Sequence, residues 1–512
     1  MLGWLVTAPL AVLRWLISPI PLTVIAVLAA WAYYSISKRL DFWKSRGVPG
    51  PKPRLPWGTE YGSPFSAVTE FESWLYNEHG GKKFCGFLEL QQPVLFVGDP
   101  DLIRAITIKD FEHFPNQRDH LGTDFWKETL ILLKGAEWKE TRAVMSPTFS
   151  ASKLKAMHQL TLDNAQNLTK YLQKQMKEEG QVEIKDAFGR FTMDNIAACA
   201  FGVDCNSFVD PNSQFAKNAA KFTNFPPIMM LRFVAETFLP YSIARWFPDY
   251  GLKVGAFFAD VVMKTIAYRE KNPSATRDFL QLLMDTKDKD GKRILSDSSI
   301  VAQSSLFLVA GYDTTSMLLT FAGFCLALDQ EIQERVQQEI DEALERHGGL
   351  TYEAIQDMPY LDRVISETLR LYPPATRMER VCAKEYTLPD TDIQIPAGTL
   401  VYMPVFAMHR DPELYPDPLQ FDPDRFLPEE KEKRHPCAYI PFGNGPRNCI
   451  AMRFALFEAK VALVSVLREL TLKPAPETPP HPMPLDPDAF LTTPKDRKVP
   501  LLAVPRQAAT QS

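Results

Sequence analysis

The chain has 512 residues, 46% of them apolar and 23% charged, the balance of an ordinary globular protein. Its net charge of −5 gives no basis for nucleic-acid binding. The seven cysteines (Cys85, Cys199, Cys205, Cys325, Cys382, Cys437 and Cys449) are odd in number, dispersed and free of any Cys-x-x-Cys pair, which argues against a disulfide scaffold or a zinc site and suits a reducing compartment. Length alone predicts two or three domains, yet no Gly/Ser linker or repeat divides the chain after residue 60.

Trp15 to Ser37 carries no charged side chain. As a helix it is long enough to cross the ~30 Å hydrocarbon core of a bilayer, with Pro19 and Pro21 kinking or delaying its start. Lys38, Arg39, Lys44 and Arg46 follow it, whereas Arg14 stands alone before it. The positive-inside bias therefore predicts a single-pass N-terminal anchor with the bulk of the chain in the cytosol. The rival is a cleaved signal peptide, for which Ala30-Trp31-Ala32 would serve as the cleavage site; the apolar run is longer than a signal core needs. Four prolines between Val48 and Pro56 predict a stiff, extended hinge.

Pro93–Val97 reads as a strand, and Asp99 as the cap of a helix toward Ile108. Trp138 and Arg142 form a W-x-x-x-R; on a helix they share a face, and both can donate to a carboxylate. Phe208 to Lys264 is dense in large apolar residues, including Phe225, Met229, Trp246, Phe257 and Phe258. Such a surface is either helix core or an adaptable roof for apolar ligands. After a charged loop at Lys287–Lys292, Ser296 or Asp297 caps a long helix toward Leu328. Its centre, Ala310-Gly311-Tyr312-Asp313-Thr314-Thr315, puts a glycine and two threonines where helix propensity wants neither. The choice is between a helix-packing spot and a groove carrying an acid and an alcohol.

Glu353–Leu371 contains Glu367-Thr368-Leu369-Arg370, and Tyr372-Pro373-Pro374 ends that helix. Short strands punctuated by proline fill Tyr386–Tyr402, and Pro423-Asp424-Arg425-Phe426 follows. Then comes Pro441-Phe442-Gly443-Asn444-Gly445-Pro446-Arg447-Asn448-Cys449-Ile450-Ala451, a tightly turning loop ahead of a helix that starts near Met452. A cysteine just before a helix N-terminus meets free N–H groups and the positive end of the dipole, which favour thiolate, a soft metal ligand.

Phe442-x-x-Gly445-x-Arg447-x-Cys449-x-Ala451 resembles the haem loop of the cytochrome P-450 family, with Ala451 where that pattern most often has glycine. Ala310–Thr315, Glu367-x-x-Arg370, Pro423–Phe426 and Trp138-x-x-x-Arg142 resemble the family's other motifs and occur in its order, covering about residues 47–505. The resemblance is closest to the animal microsomal drug- and insecticide-metabolising clan (vertebrate family 3, insect family 6). It implies a mainly α fold with small β-sheets around a buried haem b, with 1–46 as the membrane anchor and basic stop-transfer segment and 47–512 as one haem-binding monooxygenase domain.

By the same resemblance, Cys449 would be the axial thiolate on iron, with Phe442 packed beside it. Arg447, Trp138, Arg142 and Arg380 would hold the haem propionates, with Arg118 as a further candidate. Ala310 and Gly311 would border the haem, Asp313 would supply protons through water, and Thr314 would steady oxygen in the groove. Glu367, Arg370 and Arg425 would form a structural network. Ala375, Thr376 and the loop Phe490–Thr493 would line the pocket, and Phe208–Lys264 would roof it.

The implied activity is insertion of one atom of O2 into a lipophilic substrate at the endoplasmic reticulum membrane. The chain carries no flavin or nicotinamide fingerprint, so electrons would come from NADPH through cytochrome P-450 reductase, with cytochrome b5 as a second candidate donor. Lys431, Lys433 and Arg434 are candidate docking residues for an acidic reductase face. Two rival readings are a haem-thiolate isomerase or dehydratase that rearranges a peroxide, and a non-catalytic haem-binding membrane protein. The Asp313–Thr314 pair argues against both.

Overall fold

The computed structural model describes residues 37–54, 58–59, 68–89, 92–118, 124–210, 213–223, 250–272, 278–287, 289–487, 489 and 491–506, with isolated positions between 23 and 34 and between 235 and 247. The expected membrane span at Trp15–Ser37 lies largely outside these residues. Its described positions Val27, Tyr33 and Tyr34 are helical and exposed. Residues 211–212, 224–234, 236–242, 244–245 and 248–249 of the expected roof, and Phe490, also lie outside them.

The molecule is mainly helical with small sheets, as expected. In chain order the elements that position the site are α1 (Val68–Glu78), β1 (Phe84–Glu89), β2 (Gln92–Val97), α2 (Gly135–Met145), α3 (Ala151–Glu179), β3 (Val182–Glu183), α4 (Ile184–Phe201) and α5 (Tyr250–Lys271). They continue with α6 (Asp297–Leu328), α7 (Gln330–His347), α8 (Pro359–Leu371), β4 (Met378–Val381), β5 (Tyr386–Thr387), β6 (Gln394–Ile395), β7 (Leu400–Met403), α9 (Met452–Leu467), β8 (Leu470–Pro474) and β9 (Pro500–Pro505). One sheet has the order β1-β2-β7-β4, with β2 and β7 parallel and the other pairs antiparallel. A second sheet runs β3-β9-β8, and β5 and β6 form a hairpin.

Helix α6 is the central beam. Ser296 caps it, its side chain accepting from the N–H of Ser299, and α4, α8 and α9 pack against it. Among the described residues it is the one helix long and apolar enough to cross a membrane. Its buried residues run from Ile300 to Leu308 and again from Thr315 to Ala327, so its apolarity is that of a core helix. One apolar cluster joins α3, α4, α6, α8 and α9; a second joins α4, α5 and α6; a third fills the four-stranded sheet.

Two sequence expectations change here. Glu353–Leu371 is two helices, Tyr352–Gln356 and α8, because Pro359 starts a new one and keeps Met358 out of the helical region. Phe258 is fully buried against Phe201 and Phe215, so this part of the expected roof is core.

Candidate active site

The loop before α9 is built by its glycines. Gly443 and Gly445 have φ of 77° and 71°. A Cβ on Gly445 would lie 2.0 Å from the carbonyl oxygen of Thr107, so no other residue fits that turn. The N–H of Cys449 donates to Phe442 O at 2.8 Å, closing the loop, and Phe442 packs on the main core.

Cys449 is the one exposed cysteine among the seven. Yet burial is the largest influence on its thiol, pushing it up, while the N–H of Ala451 and the charge of Arg142 pull it down. Ala375 and Ala310 are likewise exposed within buried stretches.

The notch in α6 has the same character. Residues 309–314 interrupt its burial, and Ala310 is its exposed point. Thr314 Oγ1 donates to Ala310 O at 2.5 Å, the back-bond that loosens a helix locally. Burial raises the carboxyl of Asp313, and the charges of Lys185 and Arg497 oppose it. At Gly311 a Cβ would meet Ile196 Cδ1 at 3.0 Å. Its missing side chain serves the close approach of α4.

Three arginines converge with no carboxylate paired to them among the described residues. Arg142 donates to the backbone O of Asn448 at 2.9 Å and to its Oδ1 at 2.7 Å. Arg447 donates to the carbonyls of Pro115 at 2.5 Å, Leu133 at 2.7 Å and Ile131 at 3.3 Å. Its guanidinium lies 4.3 Å from the ring centroid of Trp138, which is buried. Arg380, placed on β4 by its register with Val401, donates to Glu379 O at 2.7 Å and leaves Nε without a partner. Burial pushes Arg380 down to about 10. Burial, then the charges of Arg380 and Arg142, pushes Arg447 down to about 9.

Backbone carbonyls satisfy geometry but not charge, so this cluster calls for a bound anion. A dicarboxylate with an apolar, metal-bearing body fits. The arginines would take the carboxylates, and Cys449 would take the metal. These residues fit haem.

Arg118, by contrast, is already engaged. It is bonded through Nη1 to Glu89, and to Tyr402 Oη at 2.8 Å, so unlike the other three it already has a carboxylate partner. The candidate docking cations also divide. Lys431 and Lys433 are exposed, whereas Arg434 donates to Arg425 O at 3.0 Å and stacks on Tyr415, a structural position.

Glu367 and Arg370 form a fully buried fork, with both N–O distances 2.7 Å. Arg425 Nε lies 3.5 Å from Glu367. Sequence reasoning missed His409, whose carbonyl accepts from Arg370 and whose Nε2 accepts from Ile440 N at 3.1 Å. Burial, then the charge of Arg370, pushes His409 down to about 3, so it is a neutral link between the network and the cysteine loop. No periodicity marks it in the sequence. At the far end of the pocket segment, Thr492 ties the C-terminal loop to the carbonyls of Pro373 and Pro374, and Thr376 is buried.

Comparison with known proteins agrees with this geometry. Residues 60–501 match the family described as Cytochrome P450. The chain is 36% identical to cytochrome P450 3A31 of Mesocricetus auratus, covering 95% of this chain and 99% of the relative. It is 37% identical to the probable cytochrome P450 6a13 of Drosophila melanogaster, with 87% and 91% covered, and 37% identical to cytochrome P450 9e2 of Blattella germanica, with 86% and 89% covered. The chain belongs to the cytochrome P450 family and is an oxidoreductase of the monooxygenase type.

Proposed function

We propose that this cytochrome P450 is an N-terminally anchored enzyme of the endoplasmic reticulum that oxygenates lipophilic substrates with electrons from NADPH, delivered by a separate reductase. Cys449 ligates the haem iron, and Asp313 and Thr314 manage the protons. The observation that carries this reading is the notch at 309–314, which opens an otherwise buried stretch of helix where an acid and an alcohol stand side by side. When bound, haem supplies the reductive activation of O2.

The protein's own part is placement. The arginines of α2, β4 and the cysteine loop bind the anionic edge of the cofactor. The Ala451 N–H steadies the sulfur. Asp313, with its carboxyl raised by burial and facing the charges of Lys185 and Arg497, holds a proton between interior and solvent. Thr314 keeps its hydroxyl on the Ala310 carbonyl, so its lone pairs are free to accept from a water in the notch. Exposed Lys431 and Lys433 are candidate contacts for an acidic reductase face.

Residues 47–512 form the catalytic domain in this reading, and Lys38, Arg39, Lys44 and Arg46 hold it on the cytosolic side. Alkaline carbonate extraction tests the anchor; release of the full chain from membranes would overturn it. The chemical test is Thr314→Ala. It should keep haem and substrate binding while lowering product formed per NADPH and raising hydrogen peroxide, since acid–base placement is typically worth ~10²–10⁴ in rate. Asp313→Asn should slow NADPH use itself. An unchanged product-to-NADPH ratio in Thr314→Ala would overturn the assignment. The peroxide-rearranging and non-catalytic readings need neither group.

A further inference from the structure

Four prolines between Val48 and Pro56 read as a hinge, yet the chain just before them is fixed. Trp43 is 5% exposed. It belongs to the apolar cluster of the four-stranded sheet, with Leu40 and Phe42 packed against it. Its indole Nε1–H donates to Phe87 O of β1 at 2.8 Å, and its own carbonyl accepts from the N–H of Val48 at 3.1 Å. The indole lies on Gly86. A Cβ there would stand 2.3 Å from indole Cγ and 2.4 Å from Cδ2, so the ring fills the space a side chain would need.

Strand β1 is an edge of its sheet, and residues on either side of the prolines close that edge. Pro49 O accepts from the Gly86 N–H at 2.7 Å. Thr59 donates its N–H to Leu88 O at 2.9 Å, and its Oγ1 accepts from the Leu88 N–H at 3.1 Å. The indole is therefore one end of a strap that covers an edge strand.

The other end of that strap points to the membrane. Residues 38–42 alone separate Ser37, the end of the uncharged run, from Trp43. Six residue steps reach at most ~20 Å, and residues 37–40 are helical, which shortens them. Lys38, Arg39 and Lys44 are exposed around the clamp, with Asp41 the one exposed acid among them. Cations so placed suit a layer of phosphate headgroups.

We propose that Trp43 clamps the segment between the membrane span and the catalytic domain onto β1, so that this sheet edge is held at the phospholipid headgroup layer and the domain keeps one tilt against the bilayer. The proposal rests on the anchor reading given above. A free proline hinge would let the domain swing; a chain fastened before its prolines does not.

The test uses the full haem-loaded chain in phosphatidylcholine bilayers. Lys44 and Arg46 should resist trypsin in the parent. Trp43→Ala should be cut there on the order of a hundredfold faster, because cleavage follows the population of the opened strap. Gly86→Ala, which expels the indole without altering it, should do the same. The Trp43→Ala/Gly86→Ala double variant should be cut no faster than either single variant, since both remove one contact. Trp43→Phe keeps a ring on Gly86 without the N–H and should fall between parent and Trp43→Ala. Linear dichroism of the haem in oriented bilayers should show one tilt in the parent and a spread of tilts in Trp43→Ala and Gly86→Ala. Parent-like cleavage and dichroism in Trp43→Ala, with the chain still held in the membrane, would overturn this inference and leave the anchor standing. Release of the parent chain by alkaline carbonate would overturn the anchor and this inference with it. Should Trp43→Ala fail to load haem, amide hydrogen exchange in the parent decides: protection at Val48 and Gly86 supports the clamp, and exchange at the rate of a free chain overturns it.

Discussion

Buried Arg370 and the group of Arg380, Arg447 and half-buried Arg142 differ in what completes them. Arg370 and Arg380 are 0% and 1% exposed, and both donate to backbone carbonyls. Arg370 also holds Glu367 in a two-bond fork. Arg380, Arg447 and Arg142 hold no carboxylate among the described residues, and Arg380 keeps an idle Nε. A buried guanidinium with its carboxylate is complete within the fold. One without it carries a charge that the carboxylate of a ligand would meet. In the proposed reading the first set belongs to folding, the second to cofactor binding.

The largest expected effect attacks the first set. Glu367→Ala leaves Arg370 buried without its counterion, a loss of ~3–5 kcal/mol against a typical total of ~5–15 kcal/mol. The expected result is little or no haem-loaded protein, measured as the yield of the reduced CO complex. Parent-like yield and denaturation midpoint would break the distinction. Cys449→Ala comes next. It should abolish the strongly red-shifted Soret band of that complex while leaving the Glu367 network and the fold intact. A retained band in folded, haem-loaded protein would mean that another residue ligates the iron.

A smaller effect separates the sets by sign. Arg380→Met removes an unpaired cation, so the haem-free protein should melt a few degrees higher, ~2–4 °C for each kcal/mol recovered in a large domain. The loaded protein should lose haem faster. Arg380 is the better target than Arg447, whose three carbonyl partners would be orphaned with it. Equal destabilisation of both forms would show that Arg380 is structural like Arg370.

Arg118 and Arg380 look alike as sequence, which marks the boundary of what could be read there. Local signals were legible because the cause sits within a few residues. Ser296 caps its helix, Gly445 makes a turn no Cβ permits, and Glu367 reaches Arg370 one turn on. Partner choice was not legible, because Arg118 meets Glu89 and Tyr402 through the pairing of β2 with β7. Arg434 and Phe258 turn inward for similarly distant reasons. His409 carries no local signature, since it gains its role from elements brought together only by the fold. Pro359 could have been used to split Glu353–Leu371, as the residue before a proline resists helix.

The smallest effect tests an intermediate case, an ion pair with too many acids. Glu72 on α1 is 1% exposed. Its Oε1 accepts from Arg377 at 3.0 Å, but its Oε2 has no partner, and Arg377 also serves Glu379 at 2.9 Å. Burial raises Glu72 from 4.5 to about 7, against the pull of Arg377 and with the charges of Glu379 and Glu89 adding to the rise. Between those two values the folded protein binds more protons at this site than the unfolded chain does. Stability from this group therefore falls as pH rises from about 4.5 to 7, and the cost is fully present above 7. Glu72→Gln keeps an oxygen for Arg377 and cannot ionise. Its Tm should match the parent near the acid end of that window and exceed it increasingly toward neutrality, reaching a plateau above. A Tm difference independent of pH would mean that Glu72 stays charged throughout, and that Arg377 completes it as Arg370 completes Glu367.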